Sequence, residues 1–160
     1  MKHSVLLDTS FFIRLLNYND PLQKNALAYY KYFLENNFII KISTVSIAEY
    51  CVVGSINELP LKDLQIIPFN LDHGVKTGEF AEVIFSENKI SSEKLKPRAI
   101  IPNDSKLFAQ ADLDQSITHF VTSDARSLST YATLKKGSNP KFQMIDIQIP
   151  YYRTFGILDL

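Results

Sequence analysis

Five short apolar runs, separated by segments of helical periodicity, limit what this chain can fold into more than any other feature. Val5 to Leu7, "FIIKIS" (38–43), "LQIIPF" (64–69), "HFVTS" (119–123) and "FQMIDI" (142–147) read as strands. Between them lie helical segments. "FFIRLLN" follows Thr9 and Ser10. Asp20-Pro21 opens a second helix, Pro being suited to the first helical position, and Leu22, Ala26, Tyr29, Tyr30 and Phe33 follow at helical spacing until Asn36-Asn37. "TVSIAEYCVVGS" reads as a third, with Gly54 near its stop. Leu71 to about Asn88 places Phe80, Ala81, Ile84 and Phe85 on one face, and 103–115 is a further helix. Strands alternating with helices predict an α/β fold, with a mainly parallel sheet and helices on both faces.

The 160 residues, 46% of them apolar, suit one domain over 1–160 with its own core. The polar stretch "SENKISSEKLKPR" (86–98) reads as an exposed helix–loop insertion over 86–102. The aromatic tail over 150–160 either packs on the core or meets a second copy. Lys plus Arg and Asp plus Glu both number 17, so nucleic acid is not held by overall charge, although a local basic patch stays open. The single cysteine, Cys51, permits no intramolecular disulfide and no cysteine-rich zinc site; it reads as a small buried hydrophobe in a reducing cytoplasm. No segment has the features of a signal peptide or the length of a membrane span, so a soluble cytoplasmic protein is expected. His3, His73 and His119 are scattered and carry no assigned chemistry.

Against this apolar background, four acids share one setting. Asp8 ends the first strand, Glu49 lies in the helix after the second, Asp104 opens a helix, and Asp124 follows "HFVTS". In an open parallel sheet the carboxyl ends of the strands share one edge, and ligands bind there. Carboxylates gathered in one cleft repel, and a divalent cation is the simplest way to keep them ionised. An all-oxygen set suits Mg2+ or Mn2+ rather than zinc. Each acid also has a plainer use. Asp8, Asp104 and Asp124 can each cap a helix, and Ser46-Ile47-Ala48-Glu49 matches a capping box. Thr9 and Ser10 are alternative caps beside Asp8, and Thr44 is one upstream of Glu49.

The order of these acids resembles that of the PIN-domain ribonucleases. "LLDTSFFIRLL" is similar to the family's opening strand and aspartate, "STVSIAEY" to its glutamate motif, "NDSKLFAQA" to its third motif, and "FVTSDARSL" to its closing strand with hydroxyl–x–Asp. The resemblance implies an α/β/α sandwich and an Mg2+- or Mn2+-dependent endoribonuclease. Asp8, Glu49, Asp104 and Asp124 would be its catalytic and metal-binding acids, with Ser10 and Thr122 as supporting hydroxyls. It also implies a toxin of the VapC type, with RNA as substrate, a cognate antitoxin and a homodimer. Lys106 stands where the family is usually small or apolar, and Arg126 and Ser127 stand about where some members carry a further acid.

An acidic pocket repels RNA unless basic residues surround it. The candidates are Arg14, Lys89, Lys94, Lys96, Arg98, Lys106 and Arg126. Tyr29, Tyr30, Tyr32 and Phe33 read as core, or as a face for antitoxin or a second copy. A haloacid-dehalogenase phosphatase would need an aspartate where Ser10 stands, and a nucleotide-binding fold would need a glycine-rich loop that "DTSFF" lacks. A catalytically inactive PIN-fold binding module and a stand-alone RNA-processing nuclease are the other readings.

Overall fold

The computed structural model describes residues 2–88, 101 and 103–158. Each apolar run becomes a strand: β1 (Ser4–Leu7), β2 (Ile39–Ser43), β3 (Leu64–Ile67), β4 (Ile117–Thr122) and β5 (Gln143–Asp146). They form one sheet in the order β3-β2-β1-β4-β5, and every pairing is parallel. A parallel sheet is covered on both faces, which is why the four residues of β1 are all buried rather than alternately exposed.

The helices are α1 (Thr9–Leu15), α2 (Gln23–Glu35), α3 (Thr44–Tyr50), α4 (Leu71–Glu87), α5 (Asn103–Leu113), α6 (Ala125–Gly137) and α7 (Tyr151–Thr154). Side chains alternate across a strand, so β1 feeds two cores. Val5 and Leu7 join Phe11, Phe12 and Leu15 of α1 and Ala26, Tyr29 and Phe33 of α2. Leu6 faces the other way, onto Phe80 and Ile84 of α4, Leu107 and Phe108 of α5, and Tyr131 and Leu134 of α6. The result is the expected three-layer α/β/α sandwich.

The strand order also fixes where a ligand can sit. From β1 the chain steps outward to β2 and β3, then returns to β4 and β5 on the other side. The order therefore reverses between β1 and β4, and the crevice at their carboxyl ends is where open α/β sheets bind ligands. Asp8 follows β1 there, and Ser123 and Asp124 follow β4.

Several local expectations are corrected. Helix α2 starts at Gln23, not Pro21. The Asp20 carboxylate accepts the Leu22 N–H at 2.8 Å and pairs with Arg14 at 2.8 Å, which holds Pro21 and Leu22 in a turn. Ser43 caps α3, its hydroxyl accepting the Val45 N–H, so Ser46 lies inside the helix and the Ser46–Glu49 capping box does not form. Thr44 instead accepts the Phe69 N–H. Cys51 is exposed, because α3 ends at Tyr50 and leaves it in the following turn. The tail takes the first of its two expected places. The Tyr29 hydroxyl donates to the Ile149 carbonyl at 2.5 Å, and Phe155 stacks on Tyr32 with ring centroids 4.5 Å apart. Lys89, Lys94, Lys96 and Arg98, and most of the 86–102 insertion, lie outside the described residues.

Among the buried polar residues the sequence did not foresee are Lys41 and Gln110. Lys41, mid-strand in β2, turns its side chain to the second face and pairs with Asp114, at 2.5 Å, and Ser116, at 3.0 Å, in the turn before β4. Gln110 on α5 is fully buried; it accepts from Ser43 at 2.5 Å and donates to the Pro68 carbonyl at 3.2 Å, tying α5 to the ends of β2 and β3.

Candidate active site

Asp8 is held at both its backbone and its carboxylate. Its N–H donates to the Val121 carbonyl at 3.1 Å, continuing the β1–β4 ladder one residue past the strand. One carboxylate oxygen accepts from the Ser10 hydroxyl at 2.6 Å and from the Phe11 N–H at 3.1 Å. The other accepts from the Thr122 hydroxyl at 2.5 Å. Asp8 is therefore the cap of α1 after all, although Thr9 and Ser10 were available. Capping does not exhaust it. The residue is 4% exposed, and this burial pushes its pKa up from 3.8 to about 6, against the lowering effect of its three donors and with a further push from the Asp104 charge.

The Ser10 and Thr122 hydroxyls also each accept a backbone N–H from the turn after β4. Ser10 accepts the Ser123 N–H at 2.9 Å, and Thr122 accepts the Asp124 N–H at 3.0 Å. The two hydroxyls thus lock the turn after β4 onto the acid that follows β1.

The other three acids arrive from separate elements. Glu49 projects from α3, half-buried; desolvation first and the Asp104 charge second raise its pKa, opposed by Thr9 and Lys106. One of its carboxylate oxygens, Oε1, is buried with no hydrogen-bond partner. Asp104 lies in the first turn of α5, its pKa raised by burial and by Asp124, and lowered by a hydrogen bond from Ser127. Asp124 caps α6, accepting the Arg126 N–H at 2.9 Å. All four line one pocket of about 190 Å³, together with Thr9, Ser10, Ile13 and Leu107.

The acids converge, but they do not form a ready coordination shell. Among the described residues, no group of three or more His, Cys, Asp or Glu side chains is placed to hold an ion as the side chains stand. The four acids therefore share a pocket without forming a metal-bridging group as their side chains stand. The donor chemistry nevertheless fits a hard divalent cation. The candidate donors are all carboxylate oxygens, and three of the four acids have raised pKa values. The buried Glu49 oxygen is also unsatisfied, which is costly unless something pairs with it.

Ser127 was noticed in the sequence only as a missing acid. It is fully buried and donates to Asp104 Oδ1 at 2.7 Å. The one signal that could have found it is spacing, since it lies one helical turn after Asp124 on α6. The candidate basic residues divide. Arg14 is paired with Asp20 beside the pocket. Lys106, whose Nζ lies 3.3 Å from Asn103 Oδ1, is close enough to Glu49 to lower its pKa. Arg126 is exposed at the start of α6.

A larger cavity of about 760 Å³ lies away from the sheet's switch point, between the start of α4 and the end of α5. Its charges are of both signs and partly neutralise each other. Lys76 reaches Asp112 at 3.3 Å, and His73 is spent on the Asn70 N–H at 3.0 Å. The acid pocket is smaller but gathers four carboxylates at the switch point.

No family model matches the sequence, and no curated protein matches it. Solved structures do share its fold. A chain of the DNA-bound VapBC from Salmonella typhimurium aligns with a TM-score of 0.56 at 15% identity, covering 91% of this chain and 98% of that one. A chain of VapBC2 from Rickettsia felis, bound to a DNA fragment from its promoter, aligns with a TM-score of 0.57 at 21% identity, covering 89% of this chain and 97% of that one. The fold expected from the four ordered motifs is thus the fold of VapBC chains, and the likeness runs over nearly the full described length. No helix among the described residues is long and apolar enough to cross a membrane.

Proposed function

We propose that the protein is a divalent-metal-dependent endoribonuclease of the PIN type, acting as the VapC-type toxin of a toxin–antitoxin pair. The observation that carries this is the convergence of Asp8, Glu49, Asp104 and Asp124 on one pocket at the β1–β4 switch point. A fold shared with chains of two VapBC complexes supports the partnership with an antitoxin. The homodimer implied by the sequence resemblance belongs to the same reading.

Asp8, Glu49, Asp104 and Asp124 would hold the cation, with Mg2+ or Mn2+ as the candidates. When bound, such an ion neutralises charge on a phosphodiester and makes water easier to deprotonate. The protein's own groups provide the placement. Ser10 and Thr122 clamp the two oxygens of Asp8 and so fix its rotamer. Ser127 fixes one oxygen of Asp104. Phe11, Phe12 and Leu15 fill the core behind Asp8 and keep the base of the pocket dry. Burial raises the pKa values of Asp8, Glu49 and Asp104, so a bound cation would favour the ionised forms that burial disfavours. Lys106, close to Glu49, and Arg126, whose N–H binds Asp124, would offset the pocket's charge toward a polyanion.

The test is cleavage of single-stranded RNA by the purified protein with Mg2+ or Mn2+, with EDTA, and with Asp104→Asn. Cleavage that needs the ion and is lost in the variant is expected. RNA binding without any cleavage in either ion would instead favour a non-catalytic binding module.

A further inference from the structure

A second cleft opens beside the acid pocket. It encloses about 560 Å³ and shares Ser10, Ile13 and Asp124 with the pocket, so the two are continuous. Its remaining walls include Arg14, Ser123 and Gln148.

Arg14 is fixed in place at this cleft. One terminal nitrogen donates to Asp20 at 2.8 Å, and Nε donates to the Ser123 hydroxyl at 3.4 Å. The guanidinium therefore bridges the turn before α2 and the turn after β4. The Asp20 side chain is only 8% exposed, whereas that of Arg14 keeps 37% of its surface open. The carboxylate pairs with the cation, and the cation still faces solvent at the cleft. Beside it Ile13 is 44% exposed, an apolar surface between the cleft and the acids. Preorganised guanidinium, exposed aliphatic surface and two polar side chains form the combination that a nucleotide needs. Arginine binds phosphate by a charge-assisted fork, and an unstacked base lies on an apolar face with its edges free for hydrogen bonds. The volume falls in the range of small-ligand pockets, enough for one nucleotide but not for a duplex.

The charges also give the site a direction. Lys106 lies on the Glu49 side of the acid pocket, and Arg14 lies on the Asp124 side.

We propose that this cleft seats one unpaired nucleotide of the RNA, next to the bond broken in the acid pocket, with Arg14 on its phosphate and Ile13 under its base. The inference rests on the nuclease reading. It makes Arg14 a substrate-binding residue that meets the phosphate directly, with Asp20 only its neighbour.

The experiment measures binding of a short single-stranded RNA by fluorescence anisotropy, in the Asp104→Asn protein so that turnover does not intrude. Adding Arg14→Ala should raise Kd about tenfold, the loss of one charge-assisted contact. It should also lower the slope of log K against log salt by about 0.7, the loss of one single-strand phosphate contact. Adding Asp20→Asn instead removes the same ion pair and keeps the guanidinium. It should leave Kd within about threefold of the parent. Unchanged affinity and salt slope in Arg14→Ala would overturn the subsite, as would an equal loss in Asp20→Asn, which would mean that the fold and not a contact had been damaged. If the wild type cleaves RNA and Arg14→Ala binds like its parent, the subsite alone fails. If the protein neither cleaves nor binds RNA, the nuclease reading fails and the subsite with it.

Discussion

Asp8→Asn should make the protein more stable at neutral pH while removing the proposed activity. The Asp8 carboxyl has a pKa of about 6 in the fold, against 3.8 for an ordinary aspartate. At about 1.4 kcal/mol for each pH unit, the folded state carries a deficit of about 3 kcal/mol when this group is ionised. The sign follows from proton binding. Between pH 3.8 and about 6 the folded chain binds more protons than the unfolded one, so stability falls as pH rises through that window. The whole deficit stands above it. Asparagine is neutral and sheds the deficit, but its amide must face Thr122 so that its oxygen can keep the Phe11 N–H, which costs about 1 kcal/mol. The net gain expected at pH 7.5 is therefore about 1–2 kcal/mol. Urea unfolding in EDTA at about pH 4 and about pH 7.5 measures it. Glu49 and Asp104 also have raised pKa values, so the quantity to read is the difference between wild type and variant, not the slope of the wild type alone. A variant less stable than wild type at pH 7.5, or a difference that does not change between the two pH values, would refute Asp8 as a desolvated carboxylate.

The remaining predictions concern the frame that holds the site. Thr122→Val removes the hydroxyl that serves both Asp8 and the Asp124 N–H, and should cost about 2 kcal/mol in urea unfolding, whereas Thr122→Ser should cost little. Lys41→Met should lower stability by about 2 kcal/mol, less than for a fully buried pair because Asp114 keeps 29% of its side chain exposed, with an unchanged denaturant slope. Tyr29→Phe loses the hydroxyl that binds the Ile149 carbonyl and Thr154. It should cost about 1 kcal/mol and speed amide exchange in 151–155 without affecting β1.

All five strands could be read from the sequence as apolar runs, most clearly β1 and β2, which the parallel sheet buries on both faces, while β3 and β5 at its edges stay partly exposed. The strand order could not be read, because it depends on which runs pair and not on their composition. Four acids at one sheet edge were also foreseeable, since strand ends and first helical turns are positions that periodicity locates. What periodicity could not show was how each acid is held. Asp8 was treated as either a cap or a site residue, yet a carboxylate has two oxygens. One serves α1 while the other binds β4. Ser127 is a small hydroxyl in a helix, and only its contact with Asp104 across two elements distinguishes it from its neighbours. Lys41 interrupts an apolar strand, and its partners lie 73 and 75 residues away, beyond any local pattern. Asp20-Pro21 misled because the Asp20 carboxylate is drawn to Arg14 and Leu22, a competition that helix-start rules do not weigh.

If four acids from four elements form one cation site, a divalent ion should stabilise the fold through them. Thermal unfolding during Mn2+ titration tests it most directly, comparing wild type with Asp104→Asn and Glu49→Gln. Wild type should gain stability that saturates, about 2.7 kcal/mol when the free ion exceeds its Kd a hundredfold, and each variant should gain far less. A wild type that gains nothing, or variants that gain as much as wild type, would contradict it.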